Sequence, residues 1–160
     1  MKSLRTGNRQ YAALPVRLIG NDDPEVMLIT SRETRRWVLP KGWPMRGCTA
    51  AEAAQIEAFE EAGLTGDMIG RRPVGTYRYQ KTRPAGEPVE LRVDVYLMLV
   101  RAQLDDWPEK DERDTRWFTA TEAAGLVAEK ALDKIIRKIP AMKRRKKLRR
   151  RAGAGDISPA

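Results

Sequence analysis

The sequence predicts an α/β protein, a mixed β-sheet between helices, and three observations carry that expectation. Residues 90–102 (ELRVDVYLMLVRA) set Leu91, Val93, Val95, Leu97 and Leu99 against Arg92, Asp94, Tyr96 and Met98, the period of two of a strand with unlike faces. The segment AAEAAQIEAFEEA has a helix start signal before it and a stop signal after it. Residues 119–139 (TATEAAGLVAEKALDKIIRKI) read as a helix or a broken pair of helices.

Taken in order, YAALPVRLI (11–19), EVMLITS (25–31) and RRWVL (35–39) read as strands punctuated by GNDDP and SRET. Asn21, Asp22, Asp23 and Pro24 supply the turn chemistry of the first junction. LPKGWPMRG follows, a loop whose Gly42, Pro44 and Gly47 fix a compact path. Thr49 with Glu52 three residues later is a capping box, and Gly63 is a C-cap glycine, which together frame a helix of about three and a half turns. Residues 72–82 (RPVGTYRYQKT) and 90–102 form a hairpin through KTRPAGEP, and TRWFT (115–119) is a short strand. Pro140 is expected to end the last helix, because its ring cannot continue an interior turn. There are no internal repeats, and a chain of 160 residues with 41% hydrophobic content suits one core. The expected division is a single domain over residues 1–139 and a basic, disordered tail over 140–160.

Composition removes several classes of function. One cysteine rules out an internal disulfide, and the absence of histidine excludes His-dependent triads, His metal sites and phosphohistidine chemistry. No apolar run approaches the ~18 residues of a membrane span, and MKSLRTGNRQ lacks a signal-peptide hydrophobic region. A soluble, cytoplasmic protein is expected. The chain holds 31 Lys+Arg against 22 Asp+Glu, yet Lys134–Arg151 alone contributes eleven bases and no acid, so the remainder is near neutral. That run reads either as an electrostatic arm for nucleic acid or another polyanion, or as a solvated tail; it lacks the interleaved aromatics that stack bases.

The most informative chemistry is a glutamate triplet. Glu57 lies one helical turn from both Glu60 and Glu61, so three carboxylates share a face. Such pairs repel by a few tenths of a kcal/mol each, unless something cationic sits between them. The bland alternative is a solvated acidic surface. With no His or Cys partner set, the oxygens suit a hard ion, Mg²⁺ first and Mn²⁺ second.

Set against the pattern G-x5-E-x7-R-E-U-x-E-E-x-G-U (U aliphatic), the stretch from Gly42 through Glu57, Glu60, Glu61 and Gly63 to Leu64 resembles the signature of the Nudix hydrolases. Two positions depart from it: Cys48 stands at the first glutamate and Ile56 at the arginine, which in the family orients the acids. The flanks EVMLITSRETRRWVLPKGWPM and LDDWPEKDERDTRWFTATEAAGL look like the diphosphoinositol polyphosphate phosphohydrolase branch, and the similarity covers roughly residues 9 to 127. The resemblance implies a Nudix α/β/α sandwich with a mixed β-sheet and a divalent-metal site at Glu57, Glu60 and Glu61.

Phosphoanhydride hydrolysis needs water activated and phosphoryl charge neutralised. Glu57 and Glu61 are the expected principal ligands, with Glu60 as ligand or base. In several branches of the family a distant loop adds an acid; here WPEKDERDTRW offers Glu109, Asp111, Glu112 and Asp114, with a preference for Glu112. Candidate phosphate-binding cations are Arg9, Arg17, Arg32, Arg36, Lys41, Arg46 and Arg113, of which the resemblance favours Arg9, Arg32 and Arg36. Trp37, Trp43 and Tyr11 are either core or base-stacking groups. The leading expectation is a metal-dependent hydrolase of diphosphoinositol polyphosphates, dinucleoside polyphosphates or polyphosphate. The alternatives are a nucleotide, nucleotide-sugar or RNA 5′-pyrophosphohydrolase, and a catalytically weakened polyanion-binding module.

Overall fold

The computed structural model describes residues 7–20 and 23–143. Asn21 and Asp22 of the expected first turn, and the basic stretch from residue 144 onward, lie outside the described residues.

The sheet is mixed. Strand β1 (Arg9–Arg17) runs parallel to β7 (Pro88–Gln103) over eight pairs, from Arg9 opposite Arg92 to Val16 opposite Leu99. All other pairings are antiparallel. On its far edge β7 takes two strands end to end, β6 (Gly75–Thr82) and then β5 (Leu64–Met68). On the other side β1 changes partner along its length. Val16 and Arg17 pair with β2 (Glu25–Thr30), whereas Tyr11 and Ala12 pair with β4 (Lys41–Gly42). β2 in turn pairs with β3 (Trp37–Val38) near its end and with β8 (Thr115–Thr119) along its outer edge. The sheet therefore parts between β1 and β2, and the short strands β3 and β4 occupy the opening.

Alternation along the strands builds a core on each face. One face presents Ala13, Met27, Ile29, Tyr96 and Met98 to the alanines of α1 (Ala50–Ala62). The other presents Ala12, Leu14, Val16, Val93, Val95 and Leu97 to α2 (Ala120–Leu126) and α3 (Lys130–Arg137), which contribute Ala120, Ala123, Ala124, Leu132, Ile135 and Ile136. Gly75 matters to this contact, since a Cβ there would stand 2.6 Å from Ile135. Helices on both faces of a mixed sheet make the expected α/β/α sandwich.

Several elements differ from the sequence expectation. The third strand shrinks from RRWVL to Trp37–Val38, and β4 forms inside what reads as loop. β5, LTGDM, has no apolar alternation to announce it, and its register shifts between Thr65 and Gly66, where backbone approaches too closely for any side chain. The terminal helical stretch is the broken pair. Pro140 does not stop it: α3 ends at Arg137, and Pro140 lies in the first turn of α4 (Ile139–Lys143), where its missing N–H has no helical partner to lose. Helical structure thus continues past the expected boundary at 139/140, with Ile139 buried and Met142 packed on the core.

Candidate active site

Helix α1 is fixed at both ends by its own sequence. The Thr49 hydroxyl accepts from the Glu52 N–H (3.1 Å), and the Glu52 carboxylate accepts from the Thr49 N–H (3.2 Å). At the other end Gly63 takes φ +68°, a left-handed turn natural to glycine. The buried side of the helix is almost wholly alanine, with Ala54, Ala58 and Ala62 against the sheet and Glu61 among them. Small side chains let the helix lie close, which carries the Glu61 carboxylate inward until the residue is 6% exposed. Gly42 of β4 completes the approach, since a Cβ there would sit 2.2 Å from Glu57 Oε1.

The segment after β7 folds over the end of α1. Gln103 Nε2, at the end of β7, donates to the Ala62 carbonyl (3.0 Å), and beyond it the Leu104 N–H donates to the Gly63 carbonyl (2.8 Å) and the Glu109 N–H to the Glu60 carbonyl (3.0 Å), so carbonyls that the helix cannot pair itself are capped at its end. The Trp107 ring packs on Gly63. A 3₁₀ turn at Lys110–Glu112 follows and delivers Arg113. Its guanidinium donates to Glu109 (3.0 Å) and to the Thr30 carbonyl (3.2 Å), and it stands 3.7 Å from Glu61 Oε1.

These contacts set the electrostatics. Burial, then the hydrogen bond to Glu61 and the charges of Glu61, Glu60 and Glu109, push the Glu57 carboxyl up to about 9. Glu61 is also raised by burial, against the pull of its bond to Glu57 and of Arg113 and Lys41. Both shifts have the same origin, two neighbouring carboxyls partly withdrawn from water, and they belong to the pair rather than to either residue. Burial lowers the Lys41 ammonium to about 8, although Glu61 draws it upward.

Lys41 lies on the opposite face of the opening, 5.2 Å above the Tyr79 ring, and the Tyr79 hydroxyl donates to Gln10 Oε1 (2.6 Å). Arg36 pairs with Glu129 (3.1 Å), whose charge also reaches Lys41, Tyr77 and Tyr79. Burial raises Tyr79 to about 12, with Glu129 adding and Arg36 opposing. Glu129 and Gln10 escape the sequence reading. An acid directly before a helix looks like an ordinary N-terminal charge, and nothing in the local spacing marks it.

The structure therefore brings Glu57, Glu60, Glu61, Lys41 and Arg113 together, with Arg32 nearby through Glu109 (3.9 Å). Of the loop acids, Glu109 has its N–H on the Glu60 carbonyl and its carboxylate on Arg113 (3.0 Å), whereas Glu112 is exposed and faces Arg32 (3.1 Å). Arg9 pairs with Asp94 at the start of β1 (3.7 Å), and Arg17 pairs with Glu25 (2.7 Å) and lies over Trp117. Arg46 is exposed on the loop. Tyr11 and Trp37 stand edge-on to Tyr96 and Phe118. Among the described residues no three Asp, Glu, Cys or His side chains stand in ligating geometry. Glu57 and Glu61 instead face one another through their hydrogen bond. An oxygen-only set of neighbouring carboxylates fits a divalent cation, which would offset their mutual repulsion.

A sandwich of this kind, with an acid-faced helix set on a glycine loop, defines a family. A profile of the NUDIX domain matches residues 9–139, and the chain belongs to the Nudix family. It is 32% identical over 120 residues to Nudix hydrolase 12, mitochondrial, of Arabidopsis thaliana, a match covering 71% of this chain and 59% of that protein. It is 31% identical over 104 residues to diphosphoinositol polyphosphate phosphohydrolase 3-beta of Bos taurus, covering 63% and 58%. The chain thus spans under two thirds of the length of these two relatives. Among solved structures, a C. elegans Ap4A hydrolase superposes with a TM-score of 0.60 at 18% identity, covering 86% of this chain and 98% of that one. An E. coli dihydroneopterin triphosphate pyrophosphohydrolase does so with a TM-score of 0.61 at 16% identity, covering 85% and 97%. These two share the fold. No helix among the described residues is long and apolar enough to cross a membrane.

Proposed function

We propose that this chain is a divalent-metal-dependent hydrolase of phosphoanhydride bonds in highly phosphorylated substrates: diphosphoinositol polyphosphates, dinucleoside polyphosphates or polyphosphate. The observation that carries the reading is the close set of helix carboxylates, Glu61 buried and Glu57 packed against Gly42, with Arg113 3.7 Å from Glu61. The names of the bovine relative and of the C. elegans structure support the substrate class.

Glu57 and Glu61 would hold Mg²⁺ or Mn²⁺, with Glu60 beside them. The ion would supply Lewis-acid stabilisation of charge developing on the phosphoryl oxygens. Glu109, rather than Glu112, is the loop acid assigned to accept a proton from the attacking water. Lys41 presents a point charge to phosphate from the opposite wall, and Arg32 and Arg36 present half-exposed guanidinium forks. The Tyr79–Gln10 bond holds that wall in place.

The test is product formation with Mg²⁺, substrate and products being separated by ion-exchange chromatography, across diphosphoinositol pentakisphosphate, diadenosine polyphosphates, polyphosphate, ADP-ribose, nucleoside triphosphates and triphosphorylated RNA. One preferred class from the first three, lost in both Glu57→Gln and Glu61→Gln, is the expected result. Preference for ADP-ribose, nucleoside triphosphates or RNA would replace the substrate assignment, and no turnover on any substrate would refute the reading.

A further inference from the structure

We infer that Arg113 is a positioning residue of the carboxylate cluster and not a contact to substrate phosphate, an inference that rests on the hydrolase reading above. Helix α1 (Ala50–Ala62) carries Glu52, Glu57, Glu60 and Glu61 and no lysine or arginine. Ile56, one turn before Glu60, is where a helix-borne cation would meet the acidic face. The cation arrives from another element. The segment that caps the last turn of α1 continues through the 3₁₀ turn and places the Arg113 guanidinium between the helix and the loop.

Each of the three nitrogens of Arg113 is directed at a protein acceptor. Nε donates to Glu109 Oε1 (3.0 Å), Nη1 donates to the Thr30 carbonyl (3.2 Å), and Nη2 faces Glu61 Oε1 (3.7 Å). Three partners on three elements fix the plane of a fork-shaped group, and the side chain is only 10% exposed. Arg32 and Arg36, at 57% and 39%, keep exposed edges that a ligand can reach. What Arg113 does is hold Glu61 and Glu109, from separate elements, on one side of the opening at a fixed spacing. This is the work of an outer partner that orients a metal-binding side chain.

The test uses the full chain, the preferred substrate and Mn²⁺ alone. Arg113→Ala is expected to lower kcat about 10–100-fold with KM moved less than about threefold, and to weaken Mn²⁺ binding without substrate about 10-fold, as losses of orienting partners do. Arg113→Lys, or Ile56→Arg added to Arg113→Ala, is expected to return about fivefold or more of the lost kcat, because each restores a cation beside the acids. A rise in KM with kcat unchanged would make Arg113 a phosphate contact and overturn the inference. Tighter Mn²⁺ binding in Arg113→Ala would do the same, since it would mark the arginine as a mere repeller of the ion, and so would recovery in neither second variant. Inactivity of the wild-type chain would count against the hydrolase reading instead, and the Mn²⁺ measurement would still decide the role of Arg113.

Discussion

A methyl group at Gly42 would meet Glu57 Oε1 at 2.2 Å, and the obstacle is the far end of a flexible side chain rather than backbone. Gly42→Ala should therefore change unfolding free energy by less than about 1 kcal/mol while displacing the carboxylate. The expected cost in kcat/KM is about 100-fold, the scale of an ~1 Å misplacement. Urea denaturation beside steady-state kinetics checks this, and equal losses of stability and activity would refute it. At this scale the site was partly legible in sequence. Glu57, Glu60 and Glu61 announce themselves because i, i+3 and i+4 on a capped helix must share a face. Glu109 could not be told from Glu112, because a backbone bond to Glu60 and the 3₁₀ turn decide which carboxylate faces inward. Glu129 joins this wall through its bond to Arg36, 93 positions away in the chain, a distance no local spacing reveals.

Helix α1 and its covering segment depend on one another, and Gly63 is where they touch. Its φ of +68° disfavours any side chain, and a Cβ would stand 2.3 Å from the Trp107 ring. Gly63→Ala should lower stability by about 2 kcal/mol or more, combining left-handed strain with displacement of the ring. Amide exchange at Glu109 should accelerate with it, since its N–H is held by the Glu60 carbonyl. Unchanged protection at Glu109 would show the segment docking without Trp107. Elements with strong periodicity or caps were legible: β7, its hairpin with β6, and α1 lie close to their expected positions. Elements made by tertiary pairing were not. β4 is two residues that become a strand only because β1 has a vacant edge there, and β5 carries almost no apolar signal of its own. Pro140 misled because a proline that breaks a helix interior is welcome in a first turn.

For the molecule as a whole, the raised carboxyl of Glu57 makes stability depend on pH. The Glu57 carboxyl rises from its ordinary 4.5 to about 9, so between those values the folded chain keeps a proton that the unfolded chain releases, and stability falls as pH rises. Lys41 acts oppositely but later: lowered from 10.5 to about 8, it favours folding increasingly only above pH 8. In the metal-free protein the thermal midpoint should drop by a few degrees from pH 5.5 to 8. Saturating Mg²⁺ should flatten the drop, as should Glu57→Gln. A slope unaffected by either would mean that the pair does not hold the proton. The same cluster has an order of manufacture. Arg113 is added about fifty residues after Glu61, which at ~5–20 residues per second is a wait of roughly 3–10 s on the ribosome. Through that interval the acids of α1 are present without their arginine, and β1 waits for β7, its long parallel partner. The covering segment follows β7 directly in the chain, so the long parallel pair of β1 and β7 can form before the piece that sets the carboxylates in place arrives.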